Sequence, residues 1–289
     1  MMTMLSLKPY ASIRCQVVIV YAIVITVAIF RITIIVQETE KSGFFARTNQ
    51  CYHKYWSLLK LENFIPLLPF ISDRCAPSFE KMEVYRFGDK YDWRYSMTPK
   101  IEITEDTKDA PERKCYGFVF VGLTPNLTVE VQLKRNLLFN CEIIGVDPVA
   151  GDTAQNFALD VGEFVQERVQ AWNGRNPRSL AMIVSNQMDY PDNQQRIIAE
   201  HVFITGYEDA VRLLPWILET TGYLKFITPC QITIDLPTME FERIQIFIAF
   251  VRRIIEEESY TVMSVYNNYV TRIYLFNSGL EECTAHYGF

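Results

Sequence analysis

The sequence has only three histidines, His53, His201 and His286, scattered without metal-ligand spacing, so no metal site is expected. It has no G-x-G-x-x-G phosphate loop, which counts against a nicotinamide enzyme. It has no G-x-S-x-G elbow, which removes the common serine-hydrolase layout. An excess of basic residues is absent too: 28 Lys and Arg face 34 Asp and Glu, for a net charge of -6. A nucleic-acid partner is therefore not expected, because phosphate binding requires a basic footprint. Internal repeats and low-complexity tracts are also lacking. With 49% hydrophobic and 21% charged residues, the composition is that of an ordered chain.

One long apolar run stands out. Residues 17–36 read VVIVYAIVITVAIFRITIIV, with Arg31 as the single charge near the far end. Roughly 20 apolar residues suffice to cross a bilayer, and a terminal arginine can reach the headgroups. Lys8 and Arg14 precede the run, whereas Glu38 and Glu40 follow it. The positive-inside bias then predicts a single-pass type II protein: a cytosolic tail over 1–16, a transmembrane signal anchor in the lipid bilayer over 17–36, and a lumenal or extracellular remainder. A cleaved signal peptide ending near Phe30 is the competing reading, but no Ala-x-Ala site follows it. A buried cytosolic helix would need a polar face, which residues 16–30 do not offer.

Cysteine usage agrees with that topology. Cys15 lies at the cytosolic edge, which leaves Cys51, Cys75, Cys115, Cys141, Cys230 and Cys283 beyond the membrane. Six cysteines in an oxidising compartment can pair in fifteen ways. Buried free cysteines are the alternative.

Residues 37–112 read as a stem and lead-in region, with the aromatic-rich pieces CYHKYW and FIPLLPF. Over 113–289 the pattern becomes regular. Strand-like runs fall at 116–122, 142–147, 180–185, 201–205, 231–236, 260–266 and 271–276. One helix is predicted from Ala154, with Phe157, Val161, Phe164, Val165 and Val169 on one face. A second follows Pro237, with Phe241, Ile244, Phe247, Ile248, Val251 and Ile255 on one face. Alternating strands and helices predict a mostly parallel α/β sheet. The last two runs are separated by only four residues, too few for a parallel crossover, so the sheet ends in an antiparallel hairpin. This is the Rossmann-like methyltransferase layout.

Ligands of such sheets bind beyond the carboxyl ends of the strands. The first run leads into Gly122, then Leu-Thr-Pro-Asn, then a helix from about Thr128; a glycine there permits close backbone approach. The second run ends at Asp147 followed by Pro148, and an acid at that point suits the ribose hydroxyls of an adenosine-bearing cofactor. Asp235 ends a later strand at the same edge. It is a candidate base, with N-capping of the helix after Pro237 as the competing role.

The run FVFVGLTPNLTVEVQLKRNLLFNCEIIGVDPVAGDTAQNFALDVGEF resembles the FkbM-type methyltransferase family in its divergent nematode, membrane-anchored branch. The closing run from Cys230 to Cys283 is similar to that branch as well, so the resemblance covers most of residues 50–289. It implies an S-adenosylmethionine-dependent O-methyltransferase acting on a hydroxyl-bearing acceptor, a glycan or small molecule of the secretory pathway. Gly122, Thr124 and Asn126 would then lie at the cofactor turn, Glu130 on the next helix, Asp147 and Pro148 at the ribose, and Asn156 just after. The chain departs from the family pattern twice. Thr124, Pro125 and Asn126 replace a second glycine and a polar pair, and Thr205, Gly206, Tyr207 and Glu208 stand where an Asp-x-Glu-Gly-like motif is usual. These departures carry a second reading, a catalytically inactive methyltransferase-like binding or scaffold protein. A lumenal glycosyltransferase is disfavoured by the absence of any Asp-x-Asp motif.

The strand neighbours of the family imply disulfides Cys115–Cys141 and Cys230–Cys283, leaving Cys51–Cys75 for the lead-in. Asn126-Leu127-Thr128 is also an N-glycosylation sequon. A glycan on Asn126 is expected to obstruct the cofactor loop.

Overall fold

The computed structural model describes residues 25–26, 43–56, 63–76, 79, 82–98, 115, 117–136, 141–167, 169, 197–205, 214, 227–236, 241–257, 259–268 and 270–289. Residues 45–288 form one compact unit; of the other, comprising 1–44 and Phe289, only 25–26, 43–44 and Phe289 are described. The expected membrane segment at 17–36 thus lies outside the described residues except for 25 and 26. Among the described residues no helix is long and apolar enough to cross a membrane. The run at 180–185 and the loop residues 206–208 also lie outside them.

Seven strands make the main sheet: β3 (Phe118–Val121), β4 (Ile143–Asp147), β5 (Glu163–Gln166), β6 (Ile197–Ile204), β7 (Ile227–Leu236), β8 (Thr261–Asn267) and β9 (Thr271–Phe276). Their order is β5-β4-β3-β6-β7-β9-β8. The first five are parallel to one another, and β9 joins β7 antiparallel before pairing with β8. The parallel sheet with a closing antiparallel hairpin is therefore as the sequence predicts. β1 (Val84–Gly88) and β2 (Trp93–Met97) form a separate antiparallel hairpin.

One face of the sheet is uniformly apolar. Val119, Val121, Ile144, Val146, Val202, Ile204, Ile232, Ile234, Ile273 and Leu275 join one buried cluster with residues of helix α1 (43–56), α2 (Phe64–Cys75) and α5 (Phe241–Glu257). On α5 the buried residues are Phe247, Phe250, Val251, Ile254 and Ile255, a 3.6-residue stripe whose members each contribute about 1.5–3 kcal/mol by leaving water. Tyr52, Phe64 and Leu68 show that the aromatic lead-in belongs to this core. The opposite face carries Phe118, Phe120 and Phe203 under α3 (Thr128–Asn136) and α4 (Asp152–Asp160).

The helix predicted from Ala154 stops at Asp160, and residues 163–166 are strand β5. The chain breaks where the amides of Val161 and Gly162 both bond to the Phe157 carbonyl. A side chain at Gly162 would run into the Ile143 carbonyl, 2.0 Å from an added Cβ. Phe164 and Val165 then find partners in Gly145 and Val146 of β4. All three cysteine pairs are bonded as expected: Cys51–Cys75, Cys115–Cys141 and Cys230–Cys283. The last ties β7 to α6 (Glu281–His286).

Candidate functional site

The sheet's connections reverse direction at β3, which is flanked by β4 on one side and β6 on the other. In open α/β sheets this is where a ligand crevice forms, outside the carboxyl ends of the strands. Gly122 sits there with φ 81, a conformation that favours glycine. Its amide bonds the Val146 carbonyl at 2.8 Å, and its carbonyl accepts the Thr205 hydroxyl at 2.6 Å. Gly122 is thereby fastened to the ends of both neighbouring strands.

Asp147 closes the other side. Its Oδ2 accepts the Leu123 amide at 2.9 Å and its Oδ1 accepts the Val149 amide at 2.8 Å. One half-buried carboxylate thus clasps the loop after β3 to the loop after β4. Each oxygen has one protein donor, and a carboxylate oxygen can accept a second. Pro148 follows with its carbonyl bonded by Gln166 Nε2 at 3.4 Å. Further along the first loop, Thr124 Oγ1 donates to the Asn126 carbonyl. The Asn126 side chain accepts the Thr128 amide at 3.1 Å and its hydroxyl at 2.5 Å, an Asx turn that starts α3. Gly122, Asp147 and Pro148 therefore gather at the carboxyl ends of β3 and β4, whereas Asn126 is exposed and turned toward Asp89, 3.3 Å from its Nδ2. Asn156 is exposed on α4.

Beside the crevice lies an ionic cluster that sequence reasoning missed. Arg272 Nε and Nη2 bond the two oxygens of Asp235 at 2.5 and 2.7 Å, and Arg94 Nη2 adds a bond at 3.0 Å. Asp92 joins through Arg94 at 3.0 Å and Arg272 at 3.3 Å, and Arg272 also bonds the Trp93 carbonyl. Burial by itself would lower the Arg272 pKa, but the Asp235 hydrogen bonds and charge raise it on balance. Both Asp235 oxygens hold guanidinium groups, so it is not a free base, and residues 237–240, on which the capping role would rest, lie outside the described residues.

Glu130, on the first turn of α3, is 1% exposed and has no hydrogen-bond partner for Oε2. Burial pushes its carboxyl up to about 7, against the pull of the nearby Arg94 guanidinium. Arg94 Nε is likewise unsatisfied. A polar layer continues away from this edge. His201 sits between the hydroxyls of Ser96 and Thr233 at 3.0 and 2.9 Å, and burial holds its pKa well below the usual value. Gln231 bonds the Met97 amide and carbonyl, Tyr274 and Tyr287. Among the described residues no His, Cys, Asp and Glu group is arranged to hold a metal ion.

No protein-family model matches the chain, and no curated protein matches it. Several solved structures resemble it. An O-methyltransferase, TomG of Streptomyces achromogenes, solved with S-adenosylmethionine, is 14% identical, with 57% of this chain and 74% of that chain covered at a TM-score of 0.37. An O-methyltransferase from Bacillus cereus, solved with S-adenosylhomocysteine, is 15% identical, with 56% and 74% covered at 0.35. A methyltransferase-type protein from Klebsiella pneumoniae is 13% identical, with 56% and 73% covered at 0.36.

Proposed function

We propose that the chain is an S-adenosylmethionine-dependent O-methyltransferase of the FkbM type, acting on a hydroxyl of a glycan or small molecule in the secretory pathway. The observation that carries this reading is the Asp147 clasp at the point where the sheet reverses, opposite Gly122. The residues fit the cofactor: Gly122 makes the turn at φ 81 without a side chain, and Asp147 retains lone pairs for ribose hydroxyls. When bound, the cofactor supplies a methyl group already activated on a sulfonium. The chain's own task is to hold an acceptor oxygen in line with that methyl and to take up its proton. The domain is held on the lumenal side by a membrane helix over 17–36, a reading supported by the apolar run and by the pairing of all six cysteines beyond it.

A second reading, an inactive methyltransferase-like binding protein, is favoured by Asp235, whose two oxygens are committed to Arg94 and Arg272. Calorimetric titration of the full chain in detergent with S-adenosylmethionine separates the two. Binding that weakens at least tenfold in Asp147→Asn supports the enzyme, and at a hundredfold excess over Kd the fold should gain about 2.7 kcal/mol. A folded chain that binds no cofactor supports the scaffold.

A further inference from the structure

We propose that Asn126 carries an N-linked glycan, and that this glycan covers the β1–β2 turn rather than the cofactor crevice. The proposal rests on the lumenal reading above. Asn126-Leu127-Thr128 has the acceptor sequence, and Asn126 is exposed. The three disulfides belong to the oxidising compartment in which such glycans are added.

The placement follows from the two ends of the loop. At its start, Gly122 and Leu123 are bonded inward to Val146, Thr205 and Asp147. At its far end the Asn126 carboxamide oxygen is held by Thr128, which fixes the direction of Nδ2. That nitrogen, the atom to which a glycan is joined, faces Asp89. Asp89 belongs to the turn between β1 and β2, where it accepts the amides of Tyr91 and Asp92. Tyr91 on the same turn is 77% exposed. One hydrogen on Nδ2 survives glycosylation, so the contact with Asp89 can persist. The expectation that a glycan here blocks the cofactor is thus replaced by one in which the two occupy opposite ends of the loop.

The test is translation of the full chain with microsomes. A protease-protected domain whose mass falls on treatment with peptide N-glycosidase is expected. The shift should be lost in Asn126→Gln and Thr128→Ala and restored in Thr128→Ser, which keeps the hydroxyl. Protection without a mass shift would overturn the glycan and leave the lumenal reading standing. A chain digested from outside would overturn both. For the placement, hydroxyl-radical labelling of the purified glycoprotein before and after glycan removal reads Tyr91 directly. Labelling of Tyr91 should rise at least twofold on removal while Phe70 on α2 stays unchanged; equal labelling of Tyr91 would overturn the placement.

Discussion

The two faces of the main sheet are built on different physics. Beneath α1, α2 and α5 the face is aliphatic from β4 to β8. On the other face, phenylalanines at β3 give way to His201, Gln231, Thr233, Asp235, Arg272 and Tyr274 toward β9, all buried. Strand alternation puts both sets on the same strands: Ile232 and Ile234 point one way, Gln231, Thr233 and Asp235 the other. The apolar face is held by non-directional burial and tolerates small losses. The polar face is held by specific partners on β2, so a missing partner leaves a charge or dipole stranded. A face of that kind specifies where the β1–β2 hairpin sits, and the hairpin in turn meets α3 and the far end of the β3–α3 loop.

The contrast is broken most severely at Asp235. Asp235→Ala strands two buried guanidinium groups, and equilibrium unfolding should show a loss of about 3–5 kcal/mol. Next comes Glu130, whose folded-state pKa lies above its ordinary 4.5. Its contribution is fully present below pH 4.5 and is lost as pH rises through about 7, because the buried form is the neutral one. Glu130→Gln should therefore gain up to about 3 kcal/mol over wild type at pH 8 and almost nothing at pH 4. His201 has the opposite sign: its folded pKa is depressed, so its stability is present above 6.5 and is lost as pH falls. Comparing unfolding of Glu130→Gln with wild type across pH isolates the first effect from the second. The smallest effect is expected on the apolar face, where Ile234→Val should cost about 0.5–1.5 kcal/mol with no pH dependence.

Much of the sheet is legible in the sequence because its strands are short apolar runs and its longest described helix repeats at 3.6 residues. The strand order supplied by the family resemblance also made the cysteine pairs legible. Residues 161–169 misled because Val161, Phe164, Val165 and Val169 continue the helical stripe by spacing alone. Just past the helix end, Gly162 lies so close to β4, 19 residues away, that a side chain there would run into the Ile143 carbonyl. The places of Gly122 and Asp147 at the ends of β3 and β4 were legible from the apolar runs that precede them. The ionic cluster was not, since Arg94 and Asp235 lie 141 residues apart and nothing local marks a buried arginine. Asp235 was accordingly read as a base or a cap.

The central claim is that the Asp147 clasp is a cofactor site. Its two amides, Leu123 and Val149, are direct reporters. An NMR titration of the isotope-labelled full chain with S-adenosylhomocysteine should shift both resonances saturably, leaving the β1–β2 amides of Tyr85 and Ser96 in place. Saturating ligand that leaves Leu123 and Val149 unmoved in the folded protein would contradict the account.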